Sequence, residues 1–431
     1  MHPARPRRRA LALVAAAALL LTACSSGGEE PATAPTATAQ PDEVEVFTWW
    51  ASGSEKLGLD SLVATFAEQH PEITFVNGSV AGGGGGAAKD LLQSRLEAND
   101  PPDTFQAHAG AELTDYIEAG RLEDISALYD EWELRSAFPE DLIERLTVDG
   151  KIYSIPSNIH RANVVWANPG VLSASGLDPA ASYASIDEWI VALRAVAATG
   201  RTPLSIATTW TQVHLLETVL LADLGPDAYS GLWDGTTDWA GPEVREAIEH
   251  FDVLLELSNA DRESLDWPDA TQRVIDGQAA FNVMGDWAVA EFEDAGKVRG
   301  TDFTYFPVPG TQGVFDFLAD SFVLPVGAPH PDGARAWLDT ISSVDGQTAF
   351  NLEKGSIPAR GDVSSSYFSD YQQSAMESFY VDRIVSSLAH GAAAPNGTLT
   401  AISTATGRFA TGTTDAAAFQ AELVAAATTT P

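Results

Sequence analysis

The chain has 431 residues, with 60 acidic against 24 basic side chains and a formal net charge of −36. That balance excludes nucleic acid as a partner, because phosphate contacts need clustered Lys and Arg; it speaks to solubility rather than to fold. A single cysteine excludes an intramolecular disulfide, and the length exceeds what one hydrophobic core usually organises, so two lobes are expected.

The first segment reads as an export signal. "MHPARPRRRA" carries Arg5, Arg7, Arg8 and Arg9 without an acid, an apolar run extends from Ala10 to Leu21, and "LTAC" closes it. Twelve apolar residues reach only about 18 Å as a helix, short of a bilayer core of about 30 Å. Leu21-Thr22-Ala23-Cys24 resembles the lipobox of bacterial lipoproteins, in which cleavage leaves the cysteine as a lipid-bearing N-terminus. Residues 1–23 are therefore expected to be a signal peptide. Residues 24–42, rich in Ser, Gly, Pro, Thr and Ala, are expected to be a lipidated flexible tether. Cys24 would then be the only anchor, holding the protein to the outer face of the cell membrane.

Strands and helices alternate after the tether. "EVEVFTWW" predicts an opening strand, and "LGLDSLVATFAEQHP" a helix with Leu59, Leu62, Val63 and Phe66 on one face and Pro71 closing it. "ITFVNGSV" and "DTFQAHAG" read as further strands on either side of the helix "AAKDLLQSRLEA". The order argues for a largely parallel sheet flanked by helices. The same logic returns in "IPSNIHRANVVWANPGVL", strand-like from Ala162 to Trp166, and in "SIDEWIVALRAVAATG", a helix capped by Ser185 or Asp187. Further strand and helix patterns run through "PLSIATTWTQVHLLETVLLADLG", "PEVREAIEHFDVLLELS" and "TQRVIDGQAAFNVMGDWAVAEFE" to a mostly helical ending. The fold class is α/β, with two lobes between which the chain crosses more than once.

Trp50 stands where the first strand stops, and ligand sites in open α/β sheets lie beyond carboxyl strand ends. An indole face suits the C–H face of a pyranose ring. Adjacent strand residues point to opposite faces, so Trp50 is expected to face a ligand and Trp49 to enter the lobe. "FQAHAG" puts Gln106 and His108 on one side of an extended segment; "SLDWPDA" holds Trp267 on an irregular segment, and "LADSFVLP" places Asp320 beside a strand. His108, His160 and His390 suit hydrogen bonds to a sugar; with no H-E-x-x-H pair and no cysteine partner, no metal is expected. The run Gly82 to Gly86 lacks the rest of a P-loop or dinucleotide fingerprint and reads as a close-approach loop near the cleft. No G-x-S-x-G elbow marks a nucleophile. An acidic pair for glycoside hydrolysis could be chosen anywhere among so many carboxylates, so nothing specific supports an enzyme.

From about Val44 to the C-terminal helices the chain resembles the sugar-binding lipoproteins of bacterial ABC importers, of the maltose-binding-like class, and most of all their glucose/mannose-binding branch. The likeness rests on "FTWWASGSE", "VAGGGGGAAKDLLQSRL", "NDPPDTFQAHAG", "IPSNIHRANVVW", "TTWTQVHLLE", "AAFNVMGDWA", "VPGTQGVF", "ADSFVLP", "EKGSIPAR" and "RIVSSLAHGAAAP". It implies a two-lobed periplasmic-binding-protein-like fold with the ligand cleft between the lobes. The expected division is 43–157 with 307–355 for one lobe and 158–306 with 356–431 for the other. It also implies a monomer without cofactor that delivers a sugar to the permease subunits. In that branch a hexose, glucose first and mannose or galactose next, is held by residues that fall here on Trp50, Glu55, Gln106, His108, Trp267, Asp320, Lys354 and His390. Stacking falls to Trp50 or Trp267. Asn158, His160, Trp210 and Asp286 lie in resembling stretches and form a second rank. A disaccharide or oligosaccharide receptor is the alternative, and a secreted glycoside-processing enzyme the distant one.

Overall fold

The computed structural model describes residues 42–82 and 85–428; the expected signal, Cys24 and nearly all of the tether lie outside them. A five-stranded sheet takes its strands in the order Thr74–Asn77, Glu43–Phe47, Thr104–His108, Asp320–Val323, Ser154–Pro156. A four-stranded sheet has the order Thr304–Pro307, Val164–Ala167, Ala279–Val283, Thr202–Ser205. These are the cores of the two lobes.

Both sheets are mixed, not largely parallel. The first three strands of the larger sheet pair in parallel, as strand–helix–strand order requires. Asp320–Val323 runs antiparallel to Thr104–His108 and to Ser154–Pro156, because it enters from the opposite lobe. Between the sheets lies a three-stranded one, Arg383–Ser386, Val314–Leu318, His160–Arg161. The chain passes through it from Ser154–Pro156 to Val164–Ala167, and back from Thr304–Pro307 to Asp320–Val323. A third passage follows the helix Val344–Lys354, where Ile357 pairs with Ile159.

Helices cover the sheets with the faces their spacing predicts. Gly53–Gln69 buries Leu59, Leu62 and Phe66 and packs against Val344–Lys354. Ile186–Ala198 is capped by Ser185, whose hydroxyl accepts the Glu188 N–H at 3.3 Å. Alternation along Val164–Ala167 sends Val164 and Trp166 to one hydrophobic core and Val165 and Ala167 to the other. The C-terminal helices Asn396–Ala410 and Ala416–Ala427 pack beside Thr209–Asp234 and Pro242–Glu256. Among the described residues no helix is long and apolar enough to cross a membrane.

Candidate functional site

A cavity opens between the lobes beyond the carboxyl ends of Glu43–Phe47 and Thr104–His108. Glu55, His108, Trp267, Asp320, Lys354 and His390 line it, together with His160 and Trp210 of the second rank. Trp49, Trp287 and Leu318 complete the wall. The cavity has a volume of about 30 Å³. The slot is therefore narrow and touched from both sides.

Trp50 is not in it, which corrects the expectation for the two tryptophans. The strand alternates as assumed, but with the opposite parity. Val44 and Trp50 face the side covered by Pro331–Ser342 and Val344–Lys354: Val44 abuts Gly333, and Trp50 lies fully buried with its ring 4.6 Å from Phe350 and 5.5 Å from Phe322. Trp49 shares the other face with Phe47. Its ring stands 5.0 Å from His108, with Lys89 Nζ 5.5 Å from its centroid. The glycine run serves it: a side chain on Gly85 would meet the Trp49 indole at 2.8 Å, and Gly85 holds a φ of +76°. Gly83 and Gly84 lie outside the described residues.

Asp320, first residue of its strand, is the centre of the polar wall. Gln106 Nε2 donates to one carboxylate oxygen at 2.9 Å and Asn158 Nδ2 to the other at 2.8 Å, while Asn158 Oδ1 accepts the Asp320 N–H at 2.8 Å. His160 Nε2 lies 3.4 Å and His108 Nε2 3.7 Å from the same carboxylate. Burial pushes Asp320 up, but the bond to His160 and the charges of His160, Lys354 and His108 overcome it and hold the group well below the carboxylate range. Gln106, also expected to touch the ligand, stands behind Asp320 and accepts from Thr48 Oγ1 and from the Trp49 N–H. Asn158 and Asp286 are likewise supports: Asp286 bonds His160 Nδ1 and accepts the Arg161 N–H at 3.0 Å. Burial alone would lower His160; Asp286 and Asp320 raise it above its ordinary value.

Glu112 was invisible to the sequence reading. It receives His108 Nδ1 and Lys89 Nζ, each at 2.8 Å. Burial raises it, yet the charges and bonds of Lys89 and His108 bring it down to about 2. Its spacing of four residues from His108 was the available signal, hidden by a strand-to-helix change between them.

On the opposite wall, Glu55 sits in the first turn of Gly53–Gln69, 3.6 Å from Lys354 Nζ. Burial pushes it up to about 7 against the pull of Lys354. Lys354 ends its helix, and its Nζ lies 5.3 Å from the centroid of the Trp287 ring. The turn that follows needs Gly355, whose φ is +79° and where a side chain would meet Val289 at 2.9 Å. Trp267 opens the helix Trp267–Ile275 rather than an irregular segment, because Asp266 caps it and accepts its N–H at 2.8 Å. Trp287 meets Trp267, His160 and His390 edge-on. His390 hydrogen-bonds through Nδ1 to Ser387 Oγ at 2.8 Å; burial and the neighbouring histidines push it well below its ordinary value.

Such a site presents indole faces around a fixed, ionised carboxylate, Asp320, and the imidazoles of His108, His160 and His390. It can grip a small polyhydroxylated ring by stacking and charge-assisted hydrogen bonds.

Residues 50–348 match the family model described as bacterial extracellular solute-binding protein. An uncharacterised ABC transporter extracellular-binding protein of Pyrococcus horikoshii is 35% identical over 371 residues, covering 85% of this chain and 83% of that protein. A probable sugar-binding periplasmic protein of Brucella melitensis is 32% identical over 373 residues, covering 84% and 86%. In fold, the chain matches a chitin oligosaccharide binding protein with a TM-score of 0.78 at 19% identity, over 89% of this chain and 98% of that one. The chain thus belongs to the bacterial extracellular solute-binding proteins, a family of binding proteins rather than enzymes, and within it stands with the sugar-binding components of ABC transporters.

Proposed function

We propose that this protein binds one hexose in the interlobe cavity, glucose first and mannose or galactose next, and hands it to a membrane permease. The observation that carries the reading is the narrowness of the slot. Trp49, Trp267 and Trp287 stand close around acceptors already fixed by Gln106, Asn158 and Glu112, so that on parting of the lobes a single ring is accommodated with less opening than a longer sugar. Trp49, Trp267 or Trp287 would stack on the ring, and Asp320, His108, Lys354 and Glu55 would take its hydroxyls. Entry requires the lobes to part about the three-stranded sheet, a hinge motion. The protein acts as a monomer held to the membrane by lipid on Cys24; in a Cys24→Ser variant it should leave the membrane fraction.

A second reading has its own support. Trp210 lines both the cavity and an adjoining groove of about 800 Å³ between the helices Gly86–Glu97 and Asn396–Ala410, rich in hydroxyls from Thr400, Ser403 and Thr404. A disaccharide could set one ring in the slot and the next in this groove. Calorimetric titration with hexoses and disaccharides separates the two. Saturation by glucose, mannose or galactose supports the first reading; heat from maltose or trehalose alone overturns it.

A further inference from the structure

Behind the wall that His390 gives the cavity stands a second group of buried polar side chains. His214 and Glu217 lie three residues apart on the helix Thr209–Asp234 and so share a face. His390 reaches them from the loop after Arg383–Ser386. Each of the three offers one nitrogen or oxygen within 4.8 Å of the other two. His214 and Glu217 are fully buried and His390 is 5% exposed.

Their hydrogen bonds leave this group incomplete. His214 donates through Nε2 to the Ala162 carbonyl at 2.8 Å, which leaves Nδ1 with a lone pair and no partner. Ser387 Oγ stands 3.0 Å from both oxygens of Glu217 and 2.8 Å from His390 Nδ1. The same His390 Nδ1 lies 3.9 Å from Glu217 Oε1, so it is the nitrogen that faces the group, and Nε2 has no hydrogen-bond partner. His390 Nε2 belongs to a ring that lines the cavity, but the buried His214 Nδ1 needs an explanation, and an ion is one of the few available. The surroundings are those of ligating residues. A metal-bound histidine usually gives its other N–H to a backbone carbonyl, and a ligating carboxylate is itself hydrogen-bonded. His214 does the first, and Glu217 does the second with Ser387 and with the Ala389 N–H at 2.8 Å.

We propose that His214, Glu217 and His390 form a binding site for a divalent cation of the zinc class. Two imidazoles and one carboxylate are a zinc donor set that keeps a fourth position open. Ligand atoms no more than 4.8 Å apart place their centre at most about 2.8 Å from each, so closing onto a zinc ion at roughly 2.0–2.2 Å takes shifts under 1 Å. Because His390 also lines the cavity, the ion would fix the ring that faces the sugar.

The test uses the full chain stripped with a chelator, titrated with zinc chloride by calorimetry and with cobalt(II) by visible absorption. One ion per chain is expected, with the cobalt absorption of a site of low coordination number. Glu217→Gln keeps an acceptor for Ser387 and Ala389, and His214→Gln keeps a donor for Ala162. Each should weaken zinc binding by about a hundredfold or more, with thermal unfolding confirming that the variant is folded. Absence of one-to-one heat and of the cobalt band in the parent overturns the proposal whatever the variants do. Undiminished binding in both folded variants also overturns it, since the ion then sits on surface carboxylates. Neither outcome touches the hexose reading, which is titrated separately on the metal-free chain.

Discussion

Two clusters of buried histidines and carboxylates flank the cavity, and burial has opposite results in them. Around Asp320 and Glu112, every acid meets donors or cations: Gln106, Asn158, His160, His108, Lys89. Both acids are held below the carboxylate range. Around Glu217 and Asp316 the cations are scarce, and Glu217 accepts from the neutral Ser387 hydroxyl and Ala389 N–H. Neither oxygen of Asp316 has a hydrogen-bond partner, and burial, with the charge of Glu217 added, pushes it well above its ordinary value. Burial likewise pushes Glu217 up to about 8 and His214 down to about 4. The same residue types thus make a set of ready, ionised acceptors on one side and a neutral, underfilled pocket on the other. What separates them is the supply of positive donors, since desolvation acts on both.

The largest effect is expected from the first cluster. Asp320→Asn puts an amide where Gln106 and Asn158 both donate, so at least one buried donor loses its acceptor. Breaking such a charged buried set typically costs about 3–5 kcal/mol. Thermal unfolding should show the loss, and hexose affinity should fall by about a hundredfold or more, about 2.7 kcal/mol or greater. A parent-like melt with parent-like affinity would break the comparison at its stronger end. Next come the two tryptophans. Trp50→Ala opens a cavity in the core and should cost about 3–5 kcal/mol of stability. Trp49→Ala should leave the melt nearer the parent's and weaken hexose binding by about thirtyfold, roughly 2 kcal/mol. Calorimetry and unfolding on the same two proteins check this, and the reverse pattern would return Trp50 to the site.

Much of the architecture was legible because strand and helix periods are local. Leu59, Leu62 and Phe66 announced their helix face, Ser185 its cap, and the alternation of strands with helices the α/β class. Which of Trp49 and Trp50 meets the cavity was not legible. The parity depends on which sheet face the helices 331–342 and 344–354 cover, and those lie some 280 residues further on. The antiparallel entry of Asp320–Val323 escaped for the same reason, being a consequence of crossing between lobes. Trp287 sits in a stretch whose resemblance had pointed to its neighbour Asp286, and Glu112 belongs to a helix too short to show a period. His214 and Glu217 are visible as a helical pair, but their third member is more than 170 residues away.

A pH series sharpens the comparison with a smaller effect. Glu112 has a folded value of about 2 against 4.5 unfolded, so the stability it contributes is present above 4.5 and lost as pH falls towards 2. Glu217 is displaced the other way, to about 8. Its contribution is greatest below 4.5, where both states are protonated, and is lost as pH rises through 8. Glu55, at about 7, follows Glu217 although it lines the cavity, because burial outweighs the pull of Lys354 and His160. Melting temperature should therefore fall at both ends. Glu217→Gln should flatten the decline between about pH 5 and 8, and Glu112→Gln the decline below 4.5. Thermal scans across that range decide; an unchanged neutral limb in Glu217→Gln would mean that Glu217 ionises freely and that the two clusters do not differ as described.

The smallest effect should come from Asp316, and its sign matters more than its size. An acid whose neutral form is favoured by burial, with no partner for either oxygen, loses almost nothing on becoming an amide of the same shape. At pH 5 Asp316→Asn should therefore melt close to the parent, within about 1 kcal/mol. At pH 8, above the ordinary carboxylate value, the parent bears the cost of burying Asp316 whether it holds its proton or ionises, and the variant does not, so the variant should be the more stable. The same exchange at Asp320 lowers stability at both pH values. Unfolding of the two variants at pH 5 and 8 places opposite signs side by side. If Asp316→Asn proves strongly destabilising at pH 8, its carboxylate has a charged partner in solution, and the second cluster is as well supplied as the first.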